Sequence, residues 1–262
     1  GVGKSNTAIN LAIQFRKMGK KVVILDADFG LANIEIMFGA VPKHNLSDLI
    51  YQGKNIKDII TWGPMEVGFI SGGSGITGLS NLSKDYLTYI VHNLAELDTI
   101  ADVIIVDTGA GISDAVLEFL VASGEILLVT TPEPTSITDS YSLLKALNGH
   151  PGLERDNTQI CMIANRVSTA NEGEVLFQKL DVVVSRYLKL PITYLGAVPQ
   201  DPLLAKAVMQ QLPVSLQNPQ ARSAQAYEEI AAKLMKQDEG QNTQKRGVAA
   251  FFSHIIGKRN NG

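Results

Sequence analysis

The sequence is poor in cysteine, with one in 262 residues, and poor in aromatic residues, at 6%. A single thiol, Cys161, excludes an intramolecular disulfide and a cysteine-rich metal site within this chain, and suits a reducing cytosol. Long apolar runs are also missing. None approaches the roughly 18 residues needed to span a bilayer. Charge of one sign is lacking too: the formal net charge is -3. That balance argues against a nucleic-acid coat, so no direct nucleic-acid binding is expected. What remains is a chain with 45% hydrophobic residues, enough to bury a large core.

Short apolar runs alternate with amphipathic segments. KVVILDAD (21–28), VGFI (67–70), DVIIVDT (102–108), EILLVTT (125–131), QICMIAN (159–165) and ITYLGAVP (192–199) read as strands buried on both faces. Helical patterns fill 7–19, 82–97, 114–123, 136–148, 172–188, 201–211 and 224–236. The alternation predicts an α/β fold: a doubly wound, mostly parallel sheet with helices on both faces. Ligands of such sheets bind beyond the carboxyl ends of the strands.

The chain opens GVGKSN. Gly3, Lys4 and Ser5 match the last three positions of the phosphate loop G-x-x-x-x-G-K-[ST]. The first glycine of that pattern would lie before residue 1, so the chain reads as N-terminally incomplete, with its first strand missing. In a phosphate loop, backbone N–H groups converge on the anion and the following helix adds its positive end. Lys4 would reach the β- and γ-phosphates and the Ser5 hydroxyl would ligate Mg²⁺. Asp26, Asp28 and Asp107 end apolar runs on the same predicted rim. An acid placed there can hold Mg²⁺ through water, as in a Walker B strand.

Together GVGKSN, LDADFGLANIEIMFG (25–39), VIIVDTGAGISD (103–114) and GAVPQD (196–201) resemble the deviant-Walker-A ATPases of the MinD/ParA class. EPTSITDSYSLLKAL (133–147) and ISGGSG (70–75) are most similar to its flagellar-number branch, the FlhG or FleN ATPases. The class's signature lysine would fall two residues before Gly1. Poor turnover is therefore expected of a chain that starts at Gly1.

The resemblance implies the following roles. Gly1, Val2, Gly3, Lys4, Ser5 and Asn6 form the ATP loop, with Lys4 catalytic. Asp28 positions the attacking water. Ser5, Asp26 and Asp107 serve Mg²⁺, the acids through water. Asn165, Arg166, Pro199 and Asp201 lie on the adenine side, and Gly109 and Gly111 in a γ-phosphate switch. Glu133 and Asp139 fall where the class presents dimer or partner contacts; alternatively, Ser136 and Asp139 make an S-x-x-D capping box. The cofactors implied are ATP/ADP and Mg²⁺. The partners implied are a second copy in the ATP state, the SRP-type GTPase FlhF and an AAA+ flagellar transcription activator. The alternatives are a MinD-type division-site regulator and a ParA-type partition ATPase.

The domain reading is an ATPase unit over 1–236, a polar linker over 237–246 and a terminal helix over 247–259. In that helix Val248, Phe251, Phe252, Ile255 and Ile256 share one face at roughly 100° per residue. Lys245, Arg246, Lys258 and Arg259 flank it. Such a helix reads as an anchor for inner-membrane lipid, which places the protein in the cytoplasm, peripherally bound to the membrane.

Overall fold

The computed structural model describes residues 1–28, 33–73, 89, 93 and 95–240. The expected helix at 82–97 lies largely outside them, the 70–75 loop is described as far as Gly73, and the terminal helix at 247–259 lies entirely outside.

The strands are β1 (Val22–Ala27), β2 (Thr61–Trp62), β3 (Gly68–Ile70), β4 (Val103–Thr108), β5 (Glu125–Thr130), β6 (Gln159–Val167) and β7 (Thr193–Pro199). They form two hydrogen-bonded sheets, ordered β2-β3-β1-β4 and β5-β6-β7. All pairings are parallel except β2 with β3, an antiparallel edge strand the apolar pattern does not reveal. The helices are α1 (Lys4–Lys17), α2 (Ile34–Met37), α3 (Leu46–Gln52), α4 (Asp114–Ala122), α5 (Pro134–Asn148), α6 (Ala170–Tyr187), α7 (Pro202–Met209), α8 (Val214–Gln217) and α9 (Arg222–Gly240). Because α9 continues to Gly240, the first four residues of the expected linker are helical.

Successive strand residues serve opposite cores, as the two-residue period of a strand requires. Val22 and Ile24 of β1, with Cys161 and Ile163 of β6, face one cluster shared with α1 and α9. That cluster ties the two sheets together. Val23, Leu25 and Ala27 face another, with Leu46 and Leu49 of α3. Ile160, Met162 and Ala164 face a third, with α4, α5 and α6. Each fully buried branched side chain contributes roughly 1.5–3 kcal/mol.

One face of α1 is polar yet buried. Asn10 accepts from the Ser215 N–H at 3.0 Å and donates to the Asn6 carbonyl at 2.8 Å. Gln14 donates to the Ala224 carbonyl at 3.2 Å and lies 3.3 Å from Ser215 Oγ. These bonds fix α1 against α8 and α9, and so fix where its first turn points.

Candidate nucleotide site

The first turn of α1 differs from those of α3, α4, α6 and α7. Asn45, Ser113, Thr169 and Asp201 supply side-chain caps to α3, α4, α6 and α7. At α1 the capping position is Gly3, which has no side chain to give, and the first turn holds no acid. Its backbone donors and positive helix end are left for an anion. Gly3 is left-handed, with φ 96°. A Cβ there would also lie 2.4 Å from Asn165 Nδ2, so glycine is required twice over.

Opposite this turn, β1 and β4 end in register, Asp26 beside Asp107 and Ala27 beside Thr108. Asp26 is fully buried. It accepts from the N–H groups of Asp28 at 3.2 Å, Asn33 at 3.0 Å and Ile34 at 3.2 Å, and so anchors the start of α2. Burial pushes its carboxyl up to about 7. The Ile34 N–H opposes that rise and the Asp107 charge adds to it. Asp107 is also raised by burial, to about 6, with the Ser5 hydroxyl and Lys4 ammonium holding it down. Its Oδ2 is buried with no hydrogen-bond partner among the described residues. Asp28 is half-buried and lies against Gly109, where a Cβ would sit 3.3 Å from its Oδ1.

This donor set fits a Mg²⁺-nucleotide. Among the described residues no three His, Cys, Asp or Glu side chains group to hold a metal by themselves. Mg²⁺ keeps several waters and binds through one or two carboxylates plus phosphate oxygens. The Ser5 hydroxyl and the unpartnered Asp107 oxygen suit that arrangement. A cation would also offset the cost of burying the Asp26–Asp107 pair.

On the other sheet, Asn165 is buried at the end of β6 and donates to the Val2 carbonyl at 2.7 Å. Arg166 is exposed, at φ 58°. Pro199 and Arg222 line a shallow hollow of about 180 Å³ with Val167, Ser168, Thr169, Ala170 and Ala197. The sequence pattern does not single out Arg222, which lies far along the chain from Pro199. A second hollow, about 240 Å³, lies among Val41, Lys43, His44, Asp58, Ile60 and Thr61, at the β2 side of the other sheet.

Asp201 serves as a cap: its Oδ1 accepts from Leu203 N–H at 2.9 Å, and its Oδ2 from Ser223 N–H at 3.0 Å and hydroxyl at 2.8 Å. One expectation needs correction. Ser136 is not a helix cap. Helix α5 starts two residues earlier, at Pro134, and the Ser136 hydroxyl instead accepts from Thr131 N–H at 3.0 Å. Glu133 is the residue preceding that helix. The Thr131 hydroxyl, its own N–H and Arg166 hold its carboxyl below the usual range. Asp139 is exposed one turn along α5. Gly111 is left-handed, at φ 101°, and exposed.

A glycine-started helix facing a buried acid pair across parallel strand ends defines a P-loop nucleotide-binding protein. A family model described as ParA, NUBPL iron-transfer P-loop NTPase, matches residues 1–235. The chain is 37% identical over 234 residues to the antiactivator FleN of Pseudomonas aeruginosa, covering 89% of this chain and 82% of that protein. It is 32% identical over 260 residues to the flagellum site-determining protein YlxH of Helicobacter pylori, covering 98% and 86%. Its fold is similar to that of the septum site-determining protein MinD complexed with Mg-ADP from Pyrococcus horikoshii. The TM-score is 0.73 at 22% identity, over 91% of this chain and 93% of that one. The chain belongs to the ParA/MinD family of P-loop NTPases and is an ATPase of that family.

Proposed function

We propose that this ATPase regulates bacterial flagellum number and placement, cycling between an ATP-bound homodimer on the membrane and a released form. The observation that carries the reading is the 37% identity to FleN over most of both chains, supported by the match to YlxH. Here Lys4 and the Ser5 hydroxyl hold the phosphates of ATP or ADP and Asp28 orients the attacking water. Bound Mg²⁺ supplies charge neutralisation at the phosphates, which suits phosphoryl transfer because that chemistry rests on positioning and electrostatics. Asn165, Arg166 and Pro199 form the base side, with Asp201 holding the strand end in place. Gly109 and Gly111 give the backbone freedom for a γ-phosphate switch, and Glu133 and Asp139 face a second copy or a partner. FlhF and an AAA+ transcription activator are the partners this reading implies.

The same reading divides the chain into an ATPase unit, a linker and the lipid-binding helix 247–259. Among the described residues no helix is long and apolar enough to cross a membrane, and an interfacial helix needs no such span. One short helix binds lipid weakly; two on a dimer gain roughly 10²–10⁴ in avidity. F252E is expected to abolish liposome pelleting in the ATP state while ATP binding stays intact. Unchanged pelleting removes the membrane part of the proposal.

The whole reading is tested by deleting the gene in its own host and counting flagella. Restoration of normal number by the wild-type gene but not by K4A supports it. Normal flagella with misplaced division septa would instead favour a MinD-type role, which rests on the likeness to septum-site proteins. Iron transfer is disfavoured by Cys161, which is buried, with its thiol pushed up to about 12 by desolvation and by Glu125.

A further inference from the structure

The Asn165 side chain touches the phosphate loop itself. Its Nδ2 donates to the Val2 carbonyl at 2.7 Å, across 163 residues of sequence. The residue is 2% exposed. Its Oδ1 is buried and has no partner among the described residues. Gly3, the next loop residue, passes so close that a Cβ would stand 2.4 Å from the same Nδ2.

The backbone is shaped to allow this approach. In the β6–β7 ladder Asn165 pairs with Val198 and Val167 with Pro199, so Arg166 is an extra residue on β6. Arg166 takes up the bulge in a left-handed conformation, φ 58°. Bulges of this kind re-aim side chains beside functional sites.

The amide is locked by its own chemistry. Turned over, its oxygen would face the Val2 carbonyl oxygen, two acceptors without a proton between them. With one N–H of the amide committed to the loop, the amide orientation is fixed and its oxygen is the acceptor left without a donor among the described residues. A buried carbonyl oxygen without a donor is uncommon and marks a place where a donor arrives.

We propose that Asn165 is a positioning residue for the phosphate loop: one face of its amide pins the loop through Val2, and the other takes a donor from the bound base. This rests on the nucleotide-site reading above. It goes further, because occupancy of the base end then stiffens the phosphate end, and losing Asn165 weakens the grip on phosphates that carry no base.

The test uses the full-length protein as wild type, N165A and N165D. N165D keeps the side-chain volume and removes the donor, so it stands in for N165A in the exchange measurement should the alanine variant fold poorly. Without ligand, both variants are expected to exchange the loop amides of residues 2–5 about tenfold faster than wild type, with strands β1 and β6 unchanged. With Mg²⁺, tripolyphosphate is expected to compete about tenfold less well for the N165A site, and ATP to weaken at least as much. Unchanged loop exchange overturns the proposal. So does a variant that loses ATP affinity while tripolyphosphate competes as in wild type, since Asn165 would then be a base contact alone. A wild-type protein that binds neither ATP nor tripolyphosphate contradicts the nucleotide-site reading instead, a result read on the wild type alone and so distinct from any difference between wild type and variants.

Discussion

Asp107 at the end of β4 and Asp201 just beyond β7 hold similar places in the plan of the fold, and their surroundings are opposite. Asp201 accepts two backbone N–H groups and a hydroxyl. Burial raises its carboxyl, but the Ser223 N–H and hydroxyl, the Leu203 N–H and Arg222 outweigh it, and it titrates below the ordinary range. Asp107 is buried beside Asp26, keeps one oxygen unpartnered and titrates high. A strand-end acid with its bonds filled holds the structure together. One with its bonds unfilled stores an unfavourable charge that a cation relieves. On the proposed reading the two sheets divide the labour: one carries the chemistry, the other steadies the loop and the base side.

That contrast can be broken at either end. The largest expected effect is on turnover. D107A should lower Mg²⁺-dependent ATP hydrolysis by about 10²–10³-fold, as expected for removing one element of electrostatic positioning, with little loss of thermal stability. Steady-state phosphate release and a melting curve on the same sample check it. A comparable fall in turnover with a collapsed melting point would make Asp107 another structural acid.

D201A should do the reverse. It removes the cap of α7 and leaves Ser223 without its acceptor, at a cost of about 2–3 kcal/mol in denaturant unfolding. ATP affinity of the folded fraction should change little. A selective loss of ATP affinity at unchanged stability would make Asp201 a base contact instead.

A smaller effect concerns pH. The folded-state pKa of Asp107 lies above the ordinary carboxylate value. The folded form therefore holds its proton where the unfolded chain has already lost it. Stability from this group is present at low pH and is lost as pH rises from about 4 to about 6. D107N carries no such charge. In EDTA, its melting point relative to wild type should rise across that window, and thermal scans at pH 4.5 and 7.5 read the difference. A constant difference would mean that the charge on Asp107 is already compensated without metal.

The rim acids were legible in the sequence because four apolar residues run straight into Asp107, and Asp26 ends a similar run. Strand positions were legible for the same reason. The start of α5 was legible in principle, since proline favours the first helical turn, but the S-x-x-D pattern placed the cap three residues too far, at Ser136 instead of Glu133. The capping box of α3, Asn45 with Asp48, carries an equally local signal that was missed. The roles of Asp201 and Asn165 were not legible. Their decisive partners, Ser223 and Val2, lie 22 and 163 residues away, and only the packed fold brings them together. The edge strand β2 is two residues long, too short for any periodicity to show.

The account's central claim is that an uncapped helix start and an unfilled Asp107 together make a Mg²⁺-nucleotide site. Calorimetric titration of ADP into the full-length protein, with Mg²⁺ and with EDTA, tests it most directly. Wild type is expected to bind more tightly with Mg²⁺, and D107N to lose most of that difference. Equal affinity with and without Mg²⁺ in the wild type, or a Mg²⁺ effect that D107N leaves untouched, would contradict it.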